Sequence, residues 1–210
     1  MTKPSIKKAS LEFHPLVPDR WPDFEKLFSP RGACASCWCM WWRQKRREHR
    51  RQLGEGNREA MWNIVHSGEV PGILVYLDGI PVGWCSIAPR TRFPVMDRSP
   101  NLKRVDDTPV WSVTCFFIAK DHRNRGLMRR LLDAAVEHAR RQGAAVVEGY
   151  PVDAKGKRHK ADYAWTGYLP IFTQAGFVEV ARRSETRPIL RRYLKPQAKG
   201  NPRSCLFPEG

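Results

Sequence analysis

The 210-residue chain carries 37 Lys plus Arg against 21 Asp plus Glu, a formal net charge of +16, with 41% hydrophobic and 28% charged residues. That composition describes a globular chain with one buried core, and it excludes several classes. No apolar run approaches a membrane span, residues 1–10 lack the apolar centre of a secretory leader, and six cysteines are too few for a disulfide scaffold. The expected compartment is therefore the cytoplasm, with reduced thiols, and the basic surface favours encounter with anions without naming one.

Residues 1–10 read as a flexible start. Leu11, Phe13 and Leu16 are first-strand candidates, and residues 22–28, with Phe24, Leu27 and Phe28 together, have the spacing of a short amphipathic helix. Residues 33–42, ACASCWCMWW, combine three cysteines with three tryptophans and admit two readings. Cys34, Cys37 and Cys39, completed by His49, would make a zinc site, although a structural site normally pairs two Cys-x-x-Cys knuckles. In the preferred reading Trp38, Met40, Trp41 and Trp42 pack the core and one side of an acceptor pocket, the thiols behave as small buried hydrophobes, and no metal is expected. The basic run at residues 43–51 reads as a solvated face in preference to a nucleic-acid contact, because no nucleic-acid fold accompanies it.

Residues 56–67 place Met61, Ile64 and Val65 at helical spacing, and Pro71 ends that helix. Residues 72–77 and 80–87 are strands joined at Asp78-Gly79, the pair a tight hairpin favours. Residues 90–109 form a long charged connection, either an active-site lid or a surface insertion. Residues 111–118, WSVTCFFI, have the aromatic and β-branched content of a buried strand. From Gly126 the period changes: Met128, Leu131, Leu132, Ala135, Val136 and Ala139 share one helical face. Between strand and helix lies Arg123-Asn124-Arg125-Gly126, where a glycine opening a helix leaves first-turn N–H groups free for an anion. Residues 144–150 read as the next parallel strand and residues 153–160 as a basic loop. Residues 178–181 and 188–194 read as two closing strands, and residues 195–210 as a flexible tail. Trp62, Trp84, Trp111 and Trp165 are scattered singly and read as packing residues.

The strand, basic turn and helix resemble motif A of the GNAT superfamily, the acyl-CoA-dependent N-acyltransferases, with signature Arg/Gln-x-x-Gly-x-Gly/Ala. Arg123 and Gly126 match its first two fixed positions; Met128 departs from the third, either crowding the pyrophosphate or turning into the core. A second similarity lies in residues 171–177, IFTQAGF, like the family's short helix ending in Gly-Phe. Together they span residues 70–194. The resemblance implies one GNAT-like α/β domain over residues 1–210: a mixed central sheet flanked by helices, residues 11–69 on the acceptor side and 70–194 as the core.

It further implies acetyl-CoA as co-substrate and an amine acceptor, in the main reading a small molecule, with no metal, no membrane and no nucleic acid. Phe117 and Ile118 would pair with the pantetheine arm, and Arg123, Asn124, Arg125, Gly126, Leu127 and Met128 would hold the pyrophosphate. The alternatives are a coenzyme A-binding protein with little turnover, or a basic nucleic-acid-associated protein. The tyrosine that often protonates the departing thiolate stands four residues before the glycine of the Gly-Phe pair, and that position is Phe172. Tyr168, one turn earlier, is the candidate general acid if the helix begins there, with Tyr150 and Cys115 in reserve.

Overall fold

The computed structural model describes residues 10–28, 36–155 and 165–195. Cys34, Cys205, the proposed flexible start over residues 1–9, the tail from residue 196 onward and most of the basic loop at 153–160 lie outside them.

Seven strands form one sheet in the order β1-β2-β3-β4-β5-β7-β6. They are β1 (Leu11–Pro15), β2 (Gly72–Leu77), β3 (Ile80–Pro89), β4 (Trp111–Ile118), β5 (Val146–Gly149), β6 (Val178–Arg182) and β7 (Pro188–Tyr193). The β2–β3 hairpin turns at Asp78 (φ 50°) and Gly79 (φ 76°), both left-handed, as a tight turn between right-twisted strands requires. Only β4 and β5 run parallel. They are joined by α4 (Leu127–Arg141), whose Leu131, Leu132, Ala135, Val136 and Ala139 are buried on one face of the sheet against Ile73, Val75, Val113 and Phe116.

The opposite face holds α1 (Trp21–Phe28) and α3 (Glu55–His66), where Phe24, Phe28, Met61 and Val65 meet Trp38, Leu74 and Trp84. Between them, α2 (Arg46–Arg51) exposes its arginines and buries His49 against Trp41, ring centroids 5.3 Å apart. Trp38, Cys39 and Met40 are buried, as the packing reading expects, while Trp41 and Trp42 are only half-buried. Trp62 corrects the packing expectation: it is 41% exposed and stacks on His66 one turn away, which needs no core.

Residues 90–110 correct the idea of a lid. They contain two 3-10 turns and cover the sheet with Phe93, Met96 and Leu102, all buried. A charged network fastens this cover. Glu148 on β5 is 1% exposed and accepts from Arg90 Nη1 (3.1 Å), Arg191 Nε (2.8 Å) and the Tyr150 hydroxyl (2.6 Å). Arg90 also donates to Asp97 and to the Leu102 carbonyl, and Arg191 clasps both oxygens of Asp106. A cover tied by buried charge pairs opens only by stranding those charges, so it is part of the scaffold. No helix among the described residues is long and apolar enough to cross a membrane.

Candidate functional site

The site begins where β4 and β5 part. Their pairing runs only from Trp111↔Val147 to Val113↔Gly149, while β4 continues to Ile118. Consecutive Ser86 and Ile87 of β3 face Cys115 and Val113, so Thr114 is an extra residue on β4, a bulge that bends and twists the strand. Past it, the backbone alternates. The Ala119 N–H donates to the Val82 carbonyl, so odd-numbered positions look toward β3 and even-numbered ones toward the gap.

In the gap, the Phe116 N–H donates to the Trp165 carbonyl at 2.6 Å, and Arg123 Nε donates to the Ile118 carbonyl at 3.1 Å. Of the two residues expected to pair with a pantetheine arm, Ile118 turns its backbone toward the gap. Phe117 opposes Trp84 in the β3 ladder and sends its ring to the α1 side, 5.8 Å from Phe28. Its place facing the gap is taken by Phe116. Parity was not readable from sequence, because one bulged residue inverts it.

A 3-10 turn, Lys120–His122, leads into the basic turn. Asn124 (φ 61°) and Gly126 (φ 71°) are both left-handed, which curls the backbone before α4 starts. No side chain caps the helix start and no acidic residue lies in its first turn. A Cβ built on Gly126 meets nothing within 4 Å, so the approach to these amides is open. Arg123, Asn124 and Arg125 are exposed, Leu127 is buried, and Met128 packs against the main core. The alternative for Met128 is thereby decided: its side chain helps fill the core. An open, uncapped, cation-flanked helix start fits a pyrophosphate.

The acid candidates separate by environment. Phe172 is 0% exposed, its ring 6.1 Å from Phe116 and 5.0 Å from Phe177. A Cβ on Gly149 would come within 2.1 Å of that ring and one on Gly167 within 2.7 Å, so both glycines exist to admit it. Tyr168 stands outside α5 (Leu169–Gln174), which begins at the residue before Pro170; it is extended (φ −108°, ψ 143°) and bridges to Val152. Tyr168 thus has the chain direction of a strand residue beside the gap rather than a helix position. Tyr150 is committed elsewhere: burial, then the Glu148 charge, pushes its hydroxyl well up, and it binds Glu148, Arg90 and Ser112. Cys115 is also raised, first by its hydrogen bond to Cys39 and then by burial.

The tryptophan segment reaches this region. Trp42 packs 5.9 Å from Trp165, and Trp84 Nε1 donates to Cys39 Sγ at 3.0 Å. Trp38 (φ 47°) and Cys39 (φ 57°) are consecutive left-handed non-glycine residues, a strained corner held by its packing. No group of three His, Cys, Asp or Glu side chains among the described residues has metal-binding geometry. A cleft of about 410 Å³ lined by Arg90, Arg104, Asp106, Trp111 and Arg191 lies at the opposite ends of β4 and β5 from the basic turn. Sequence reasoning missed Glu148 and Arg191, although a charge inside an apolar strand is a readable signal, and it missed Arg43, which a basic run conceals.

A model of the Acetyltransferase (GNAT) family matches residues 35–155. Among solved structures, a GNAT-family acetyltransferase from Streptococcus agalactiae is 13% identical with a TM-score of 0.53, covering 88% of this chain and 96% of that one. A putative acetyltransferase from Salmonella typhimurium, solved with acetyl-CoA, is 14% identical with a TM-score of 0.52, covering 91% and 98%. The PaiA N-acetyltransferase of Thermoplasma acidophilum, solved with coenzyme A, is 10% identical with a TM-score of 0.50, covering 88% and 99%. At such identities these likenesses speak for the fold. No curated protein matches the sequence.

Proposed function

The chain belongs to the GNAT acetyltransferase family, and from that premise we propose that it is an N-acetyltransferase moving the acetyl group of acetyl-CoA directly to a primary amine of a small molecule. The observation that carries this reading is the pairing of an open, uncapped turn at Arg123 to Met128 with a β4 edge that leaves β5 at Val113. The turn's amides and arginines would hold the pyrophosphate; Phe116 and Ile118, which share the gap-facing edge, would take an extended arm as a further strand. The Phe116 N–H then exchanges the Trp165 carbonyl for a ligand oxygen, where it withdraws charge from a carbonyl under attack.

Acetyl-CoA supplies the activated acyl group. The protein's share is to bring an amine against it, which accounts for much of the barrier reduction without a covalent intermediate. Tyr168 is the proposed proton donor to the departing thiolate, because Phe172 cannot donate and the Tyr150 hydroxyl is spent on Glu148; the proton lost by the attacking amine passes to solvent, which reprotonates Tyr168. Acetyl-CoA binding by calorimetry, followed by turnover over a panel of amines, tests the proposal. Binding without acetylation of any amine would leave a coenzyme A-binding protein, and absence of binding would remove the reading.

A further inference from the structure

The fold splits the basic run at residues 43–51 in two. Arg43 turns inward, its side chain 5% exposed and paired with Glu69 at 2.7 Å, whereas Lys45, Arg46, Arg47, Arg50 and Arg51 stay at the surface. Every residue of α2 except His49 is exposed, so the helix projects from the body with His49 as its anchor against Trp41. With 3.6 residues per turn, its four arginines fall within an arc of about 140°, and Glu48 and His49 lie outside it.

Elsewhere helical arginines are answered with acids. On α3, Arg58 reaches Glu25 and Glu55; on α4, Arg129 holds Asp133, and Arg140 and Arg141 hold Glu137. Neither Lys45 nor any arginine of α2 pairs with a carboxylate among the described residues; Arg46 lies over the Trp41 ring instead, 5.5 Å from its centroid. The arrangement costs stability. Arg46 and Arg50, like Arg47 and Arg51, are equal charges one turn apart, and Arg46 and Arg47 occupy the first turn, where the helix dipole disfavours cations. A bound polyanion relieves both penalties.

The chemistry of this arc selects among polyanions. A helix that binds lipid surfaces inserts an apolar face, and α2 has none. A protein partner needs apolar or aromatic anchors at the centre of the contact, and here the centre is guanidinium. Guanidinium forks match phosphate oxygens two at a time. Single strands are held in basic grooves with free aromatic platforms, whereas the ring beside this helix is covered by Arg46. A projecting helix about 10–12 Å across fits the major groove of B-form DNA, about 12 Å wide with phosphates on both walls; the major groove of an RNA duplex is too deep and narrow for it.

We propose that α2 is a docking helix for double-helical DNA, held through the phosphates by Arg46, Arg47, Arg50 and Arg51 and therefore with little regard to base sequence. A solvated face explains why these arginines are exposed. It does not explain why they alone among the clustered helical arginines lack acidic neighbours. The docking surface goes beyond acetyl transfer and does not depend on it.

The experiment follows the fluorescence anisotropy of a labelled, mixed-sequence DNA duplex of about 20 base pairs, titrated with the full chain between about 50 and 200 mM salt. Affinity should fall steeply as salt rises. The combined variant Arg46→Gln, Arg47→Gln, Arg50→Gln, Arg51→Gln should bind roughly 10²-fold or more weakly at the lowest salt. Its plot of log affinity against log salt should be shallower by about 3 to 4, since each neutralised phosphate contributes about 0.9, and Arg47→Gln alone should remove about 0.9. A control variant, Arg98→Gln, Lys103→Gln, Arg141→Gln, Lys195→Gln, removes equal charge from other exposed positions and should keep most of the affinity and slope. Thermal melts report folding, and the α2 variant should melt no lower than the parent because it loses two repulsive pairs.

A comparable loss in the α2 and control variants would reduce the effect to net charge and overturn the proposal. Equal affinity for an RNA duplex of the same sequence would overturn the groove assignment. Binding of phosphatidylserine vesicles or of polyglutamate that vanishes with the α2 arginines, while DNA binding persists, would give the helix to a membrane or an acidic protein instead. Amine acetylation enters none of these readouts, so failure of the docking surface and failure of the transferase reading are separate results.

Discussion

Gly126→Asp puts the phosphate-binding assignment at most risk, because the structure separates its effect on binding from its effect on folding. The residue has φ 71°, and an added Cβ touches nothing within 4 Å, so no clash inside the protein accompanies the substitution. The left-handed conformation costs a non-glycine residue about 1–2 kcal/mol, with Asp and Asn at the low end. An acidic side chain at a helix N-terminus returns about 0.3–1 kcal/mol. The variant should therefore fold with stability close to that of the parent.

Binding is another matter. A carboxylate about 5 Å from a pyrophosphate carrying two charges, at an effective dielectric of about 40, is repelled by about 3 kcal/mol, or ~10²-fold in affinity. Gly126→Asn has the same shape and backbone tolerance without the charge and should bind nearly as the parent does. Calorimetry of acetyl-CoA with both variants, beside thermal melts, isolates the charge. The gap between them should narrow in about 1 M salt, where the screening length falls to about 3 Å. If folded Gly126→Asp bound acetyl-CoA within about threefold of Gly126→Asn at low salt, well short of the calculated repulsion, the pyrophosphate would not lie at this turn.

Other substitutions test the remaining assignments. Tyr168→Phe should lower turnover by ~10²-fold or more with acetyl-CoA affinity nearly unchanged; a silent variant would shift proton donation to solvent or Cys115. Phe172→Tyr should add little rate and should lower the melting temperature, because its ring fills the space left by Gly149 and Gly167 and a hydroxyl overpacks it; a raised rate would mean the tyrosine position still reaches the thiolate. Glu148→Ala should cost roughly 3–5 kcal/mol, since it strands Arg90 and Arg191 in the interior, and a denaturant midpoint within error of the parent would show that the cover is not held by these pairs. The hydrogen bond from Arg191 holds Asp106 below the usual carboxylate range, so its contribution is present above the ordinary value and is lost as pH falls through the depressed one. The stability difference between parent and Asp106→Asn should therefore shrink as pH is lowered from about 5 toward 2, and a constant difference would refute the linkage.

Much of the architecture was legible in residues 70–194 because its signals are local. The Asp78-Gly79 turn, the helix period from Met128 to Ala139 and the Gly126 helix start each depend on a few neighbouring residues and a steric rule. The short helix before Gly176-Phe177 and the closing strands β6 and β7 were legible for the same reason. The tertiary structure decided what depends on residues distant in sequence. The bulge at Thr114 turns Phe116 rather than Phe117 toward the gap, and its register exists only against β3. The cover over residues 90–110 is a fixed wall because Arg90 and Arg191 meet Glu148 across strands. Arg43 reads as one more member of a basic run until Glu69, Arg92 and Phe93 surround it and leave two of its donors unanswered. Backbone conformation is set by sterics within a turn or two of chain, whereas the partners and solvation of a side chain are set by what the fold brings against it.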